Sequence, residues 1–216
     1  MDAAIMHLAA VGFAPSVVFD VGAGKGYWAQ RFAWRWPEAH FFCLEPLPAD
    51  APQLGEACAV DLRLHFVPCA VGDAPGEVAM NAAEVADSSS LLTADESGAN
   101  IVRVPVETLD GLIDADRVPA PDLIKIDVQG FEMHVLRGAR KRALESAEVV
   151  LIEVNLYAFA PGTPLAHEVM AFMVEAGFRL YDIAGLLRRP LDGALGQVDF
   201  VFVANRSPLV ASERWR

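Results

Sequence analysis

The sequence is poor in cysteine and in positive charge. Its 216 residues include three cysteines with no C-x-x-C spacing, which argues against a disulfide framework and against a structural zinc knuckle. Lysine and arginine number 17 against 29 aspartates and glutamates, so the net charge is −12. A negative field of this size repels phosphate backbones and anionic lipid headgroups. We therefore expect neither a nucleic acid nor a membrane as a partner.

Long hydrophobic runs are also missing. No stretch reaches the ~18 apolar residues of a membrane span, and Asp2 stands where a signal peptide carries positive charge. We therefore expect a cytoplasmic protein. Hydrophobic residues still make up 54% of the chain, enough to form a core. The length predicts one domain over residues 1–216.

Seven apolar segments rich in β-forming residues alternate with helix-like segments. They are residues 17–20, 41–45, 62–67, 122–127, 148–154, 178–183 and 199–204. Runs such as VVLIEV are apolar on both faces, which is typical of parallel strands covered by helices. The last two segments are close enough for a hairpin, so the last strand should run antiparallel. The sequence predicts an α/β fold with a doubly wound, mainly parallel seven-stranded sheet and a reversed last strand.

Helices are predicted over residues 27–36, 131–144 and 164–176 from their apolar spacing and their proline and glycine boundaries. The interval 72–105 is less regular and predicts a hairpin with a flap insertion. Its polar, acidic loop at 86–100 has the composition of a surface segment that becomes ordered on a ligand.

A glycine-rich turn follows the first predicted strand and precedes a helix. Its residues are Asp20, Gly22, Ala23, Gly24 and Gly26. Glycines at such a place let the backbone approach a ligand closely, and the helix adds oriented N–H groups. A dinucleotide-binding turn would need a small residue where Tyr27 stands, and a P-loop would need serine or threonine after Lys25. Both nucleotide interpretations are therefore disfavoured, and a turn that only joins strand to helix stays as the alternative.

The remaining pattern, D-x-G-x-G-x-G, resembles the first motif of Rossmann-like, class I methyltransferases that use S-adenosylmethionine (SAM). The resemblance implies SAM as cofactor, with the turn at its amino-acid end. We accordingly predict cofactor contacts from Asp20, Gly22, Ala23, Gly24, Gly26, Glu45, Pro46, Ala70 and Val71.

Glu45 ends the second predicted strand, beside the glycine-rich turn in an open parallel sheet. A carboxylate there can accept the protons of both ribose hydroxyls, so we predict Glu45 as the ribose ligand. The alternative is a solvated acid before Pro46.

A second block, DLIKIDVQGFE at 122–132, is followed by VLRGA. It resembles the FkbM-type methyltransferases, in which this region has the pattern K-I-D-V-E-G-x-E…L-x-G-A. Gln129 stands where glutamate is commoner, which puts an acid–base role at that position in doubt. The resemblance covers about residues 17–155, including Ser88, Ser89 and Ser90 and the segment 106–110. It implies O-methylation of a hydroxyl on a small molecule, a natural product or a sugar.

Asp127 and Glu153 end two successive predicted strands, and we predict that they are the catalytic residues. Lys125 shares a strand face with Asp127, and the two charges should satisfy one another. Glu153 is predicted to position the acceptor or to act as general base. Oxygen ligands from two adjacent strand ends, Asp127 on one and Glu153 and Asn155 on the other, could instead hold Mg²⁺. We do not favour that alternative and assign no metal ligand.

A non-catalytic, methyltransferase-like binding module is the rival interpretation, with the glycine-rich turn kept for folding. The presence of Glu45 together with the complete turn favours the enzyme.

Overall fold

Ten strands and seven helices form the described part of the chain, residues 1–81 and 101–212 of a computed structural model. The strands are β1 (Val17–Val21), β2 (His40–Leu44), β3 (Leu64–Val67), β4 (Ala70–Val71), β5 (Gly76–Asn81), β6 (Ile101–Glu107), β7 (Leu123–Ile126), β8 (Val149–Asn155), β9 (Phe178–Arg188) and β10 (Leu195–Ala204). The helices are α1 (Asp2–Ala10), α2 (Tyr27–Phe32), α3 (Ala51–Val60), α4 (Leu109–Asp114), α5 (Glu132–Arg137), α6 (Ala143–Ser146) and α7 (Ala166–Glu175). A short 3-10 helix, Pro208–Val210, follows β10.

The main sheet contains seven strands in the order β3-β2-β1-β7-β8-β10-β9. Each of the seven predicted segments supplies one of them. The five strands from β3 to β8 in this order run parallel to one another. Strand β10 pairs antiparallel with both β8 and β9. The predicted α/β fold with a reversed last strand is confirmed. The reversed strand β10 lies between β8 and β9, so β9 is the edge strand on that side of the sheet and β3 is the edge strand on the other.

Helices cover both faces of this sheet, which explains why its central strands are apolar throughout. Phe19 packs on one side with residues of α4, α5 and α7. Its neighbour Val18 packs on the other side with α1, α2 and α3. Consecutive residues of a strand point to opposite faces, so both must be apolar when both faces are covered. The carboxyl ends of β1, β2, β7 and β8 are left together at one edge of the sheet.

A smaller sheet of three strands has the order β4-β6-β5. Strands β5 and β6 are antiparallel, within the interval where the sequence predicts a hairpin, and β4 joins β6 in parallel. The predicted loop, with Ser88, Ser89 and Ser90, lies outside the described residues.

The prediction of one continuous helix over residues 131–144 is wrong. The segment forms two helices, because α5 ends before Gly138 and α6 begins at Ala143. A Cβ at Gly138 would lie 2.0 Å from the Gly72 carbonyl oxygen, so the chain comes into close contact with another loop there. The Asp110 carboxylate then accepts hydrogen bonds from three successive N–H groups at the start of α6. Helices α3 and α4 were not predicted. None of the helices in the described ranges is long and apolar enough to cross a membrane.

Candidate active site

A cavity of about 800 Å³ opens at the carboxyl edge of the main sheet. This edge is where open parallel sheets bind their ligands, and the volume suits a small organic molecule. Nine of the eleven predicted site residues line it: Gly22, Ala23, Gly24, Glu45, Pro46, Ala70, Val71, Asp127 and Glu153. Asp20 and Gly26 are not part of the lining.

Two glycines of the turn have different surroundings. Gly22 has φ +75°, and a Cβ there would lie 1.9 Å from the Asp127 carbonyl oxygen, so Gly22 lets the turn pack against the end of β7. Gly24 has φ +52°, and a Cβ there would meet no protein atom within 4 Å. Since Gly24 lines the cavity, that open space is available to a ligand.

Glu45 is buried behind the glycine-rich turn, with 5% of its surface exposed. Its Oε2 accepts a hydrogen bond from the Gly24 N–H at 2.8 Å, and its Oε1 accepts one from the Leu47 N–H at 2.9 Å. Burial raises the pKa of this carboxyl, and the two N–H donors oppose the rise. The alternative of a solvated acid is therefore wrong. A carboxylate has about four acceptor positions, so Glu45 can accept further hydrogen bonds from hydroxyl groups.

Asp20 lies beneath the turn, fully buried, and forms an ion pair with Lys125 in which Oδ1 and Nζ are 3.1 Å apart. The Lys125 ammonium also donates to the Gly22 carbonyl oxygen at 3.1 Å and lies 3.5 Å from Asp127 Oδ2. Burial by itself lowers the pKa of Lys125, but the carboxylates of Asp20 and Asp127 raise it above its ordinary value. Lys125 thus ties the turn to β7, and the predicted contact between Lys125 and Asp127 is present.

Gly26 is placed behind the turn, as the residue before α2. A Cβ there would lie 2.7 Å from Leu54 Cδ1 of α3. Its surroundings are those of a packing position between two helices.

The carboxylates of Asp127 and Glu153 are joined by one amide. Gln129 Nε2 donates to Asp127 Oδ1 at 2.8 Å and to Glu153 Oε1 at 3.2 Å. From β10, Gln197 Nε2 donates to the same Oε1 at 2.9 Å and to Asn155 Oδ1 at 3.1 Å. No donor from residues 1–81 or 101–212 is hydrogen-bonded to Glu153 Oε2. The second oxygen of Glu153 is therefore available to take a proton.

The surroundings of Glu153 raise the pKa of its carboxyl into the neutral pH range. Burial, together with the nearby carboxylates of Asp127 and Asp199, raises the pKa of its carboxyl to about 8. A carboxyl with such a pKa can exchange protons with a substrate near pH 7.

Several polar residues of the site were missed from the sequence. Gln197 and Asp199 come from the reversed strand β10, in which Asp199 is the register partner of Glu153. One feature of the sequence could have revealed them. The segment QVDFVFV has two polar residues at alternate positions of an otherwise apolar strand, which places both on one face. Glu132 is 1% exposed, and burial raises the pKa of its carboxyl to about 7.

Across the described ranges, no group of three or more histidine, cysteine, aspartate and glutamate residues is placed to hold a metal ion.

The family model for the methyltransferase FkbM domain matches residues 20–180. The chain belongs to the FkbM methyltransferase family. The hexuronic acid methyltransferase AglP of Haloferax volcanii is 26% identical over 143 residues, which cover 64% of this chain and 56% of that protein. This FkbM chain thus spans little more than half the length of its curated relative.

Solved structures show the same class I methyltransferase fold. The FkbM methyltransferase of Methylobacillus flagellatus has a TM-score of 0.55 at 18% identity, covering 86% of this chain and 43% of that one. The magnesium protoporphyrin IX methyltransferase of Synechocystis PCC 6803, solved with bound SAM, has a TM-score of 0.56 at 11% identity and covers 94% of this chain and 77% of that one. The class I fold predicted for this chain of the FkbM family is confirmed.

Membership of the FkbM family implies SAM as the methyl donor, and the residues present fit it. The open space at Gly24 allows a ligand to approach the backbone, and Glu45 keeps acceptor capacity for hydroxyl groups. Cys69, Ala70 and Val71 add an apolar stretch of the lining for a ring system.

Proposed function

We propose that this FkbM methyltransferase transfers a methyl group from SAM to a hydroxyl oxygen of a small molecule, with a sugar as the favoured acceptor class. One observation carries the proposal: a single cavity joins the Gly24–Glu45 contact to the paired carboxylates of Asp127 and Glu153. The proposed cofactor site and the proposed acid–base group therefore lie in the same cavity. The sugar is favoured because AglP, the curated relative, is a hexuronic acid methyltransferase.

The cofactor residues of the proposal are those predicted from the sequence that line the cavity. Gly22, Ala23 and Gly24 hold the amino-acid end and Glu45 accepts from the ribose hydroxyls, while Pro46, Ala70 and Val71 contact the base. When bound, SAM supplies an electrophilic methyl group on a positively charged sulfur. The carboxylates of Asp50 and Asp127 line the cavity and favour a positive charge there.

Glu153 takes the proton of the acceptor hydroxyl. Two amide groups donate to Oε1 and fix the carboxylate, so Oε2 is the oxygen that receives the proton. Asp127, at the end of the adjacent strand, orients the acceptor by accepting a hydrogen bond from it. Because the pKa of Glu153 is about 8, the unprotonated form that acts as base increases as the pH rises through 8.

Calorimetric titration with SAM and, separately, with NADPH tests the cofactor. We expect binding of SAM and no heat with NADPH. Binding of NADPH and not SAM would contradict the proposal.

The acceptor is tested with SAM and hydroxylated small molecules, including hexuronic acid glycosides and the matched amino sugars, by mass gain of one methyl group. Mild alkali separates the possible products of a hexuronic acid, because a methyl ester is hydrolysed and a methyl ether is stable. Alkali-stable methylation of a hydroxyl supports the proposal. Transfer only to amines or carboxylates would refute O-methylation of a hydroxyl, and SAM binding without transfer to any acceptor would favour the non-catalytic module.

A further inference from the structure

We propose that Gln129 is a positioning residue, whose single side-chain amide holds the carboxylates of Asp127 and Glu153 together at the acceptor end of the cavity. Its contribution to catalysis rests on the proposed role of Glu153 as base. Its contribution to the protonation of Glu153 can be measured without any acceptor.

The backbone at Gln129 has an unusual conformation. Its φ is +51°, in the left-handed region that residues other than glycine seldom adopt. The next residue, Gly130, has φ +99°, and its N–H donates to the buried Glu132 Oε1 at 2.8 Å. Such a conformation persists only where the surroundings enforce it, and functional sites are where this is commonest. Here it turns the chain after β7 so that Gln129 lines the cavity.

The contacts of the amide match its chemistry. An amide nitrogen carries two protons, and Gln129 Nε2 lies 2.8 Å from Asp127 Oδ1 and 3.2 Å from Glu153 Oε1. One neutral group thus donates to two carboxylates that would otherwise repel each other. The hydrogen bond from Gln129 lowers the pKa of Glu153 against the rise that burial causes.

The charges around Glu153 show why a neutral donor matters here. Asp127 faces it from the end of β7, Glu132 from α5 and Asp199 from β10, and all three raise its pKa. Two cations of the described residues act on this group of acids: Lys125 lies 3.5 Å from Asp127 and pairs with Asp20, and the Met1 ammonium opposes the rise in the pKa of Asp199. A carboxylate at position 129 would add another negative charge and remove a donor. It would therefore favour the protonated form of Glu153.

The test is an NMR titration of the 216-residue chain labelled with carbon-13 at the glutamate carboxyl groups. Glu153→Gln assigns the Glu153 signal, and the double variant Gln129→Glu/Glu153→Gln assigns the new one. We expect the midpoint of Glu153 to rise in Gln129→Asn and to rise further in Gln129→Glu, by about one pH unit or more. Gln53→Glu, the same substitution on the exposed surface of α3, serves as the matched control. The inference is overturned if Gln129→Glu has the same midpoint as this control.

Gln129→Asn keeps the test decisive if Gln129→Glu does not fold. Asparagine tolerates the left-handed conformation well, but its amide is one methylene short of bridging both carboxylates. A Glu153 midpoint in Gln129→Asn equal to that of the wild type would overturn the inference.

Kinetics separate this inference from the proposed function. With an acceptor from the methylation assay, the acidic limb of kcat should move with the NMR midpoint while the Kd for SAM stays unchanged. If the midpoint moves and the limb of kcat does not, Gln129 controls Glu153 as inferred, and Glu153 is not the base.

Discussion

Replacing Gly24 with alanine is expected to weaken SAM binding without a packing defect. An added Cβ meets no protein atom within 4 Å, and the space it enters is part of the cavity. The cost to folding comes from the left-handed backbone at φ +52°, which is about 1–2 kcal/mol for a residue with a Cβ. For a chain of this size that corresponds to a lowering of Tm by about 2–8 °C.

Gly177 offers a matched control. It follows α7, has φ +87°, and a Cβ there likewise meets nothing within 4 Å, but it does not line the cavity. Gly177→Ala should therefore lose a similar amount of stability and leave SAM binding unchanged.

The assay combines thermal unfolding without ligand and calorimetric titration with SAM for the wild type and both variants. We expect similar Tm losses in Gly24→Ala and Gly177→Ala, with a Kd for SAM at least about tenfold higher in Gly24→Ala, or about 1.4 kcal/mol. An unchanged Kd in folded Gly24→Ala would show that the turn does not contact the cofactor. A Tm loss far beyond that of Gly177→Ala would show that the added Cβ meets protein.

Four further predictions concern charged residues in and beneath the site. Glu45→Ala should weaken SAM binding by about 2–3 kcal/mol in calorimetry, because hydrogen bonds to a charged group are lost; an unchanged Kd would place the ribose elsewhere. Glu153→Gln should lower kcat by about 10²–10⁴-fold with little change in the Kd for SAM, and full turnover would exclude it as base. Lys125→Met should lower the free energy of unfolding in urea by about 3–5 kcal/mol, because Asp20 is left as an unpaired buried charge. Adding Asp20→Asn should recover part of this loss, and no recovery would contradict the ion pair. For Glu132, burial raises the pKa from 4.5 to about 7, so its contribution to stability is present below pH 4.5 and is lost as the pH rises through 7. Glu132→Gln should flatten this part of the urea stability profile, and an identical slope would refute the shift.

The central strands and the polar residues at their ends could be predicted because their signals are local. Strands β1, β7 and β8 are short and apolar on both faces, which only a strand between two helical layers requires. In a parallel sheet the carboxyl ends of strands meet at one edge, so Glu45 and Asp127 could be assigned to one crevice before any contact was known. The break at Gly138 could not be predicted, since it depends on the approach of Gly72 from a distant loop.

Local patterns in the sequence were enough to predict the α/β class, the FkbM resemblance and nine of the residues that line the cavity, because periodicity and motif spacing are properties of neighbouring residues. The tertiary structure set how most of these residues are paired. It placed Asp20 beneath the turn against Lys125, and it brought Gln197 from the reversed strand β10 to Glu153, 44 residues away. The left-handed backbone at Gln129, which directs its amide between two carboxylates, was likewise decided there. Charge pairs between residues far apart in the chain depend on which strands become neighbours, and the pattern around each residue does not specify that.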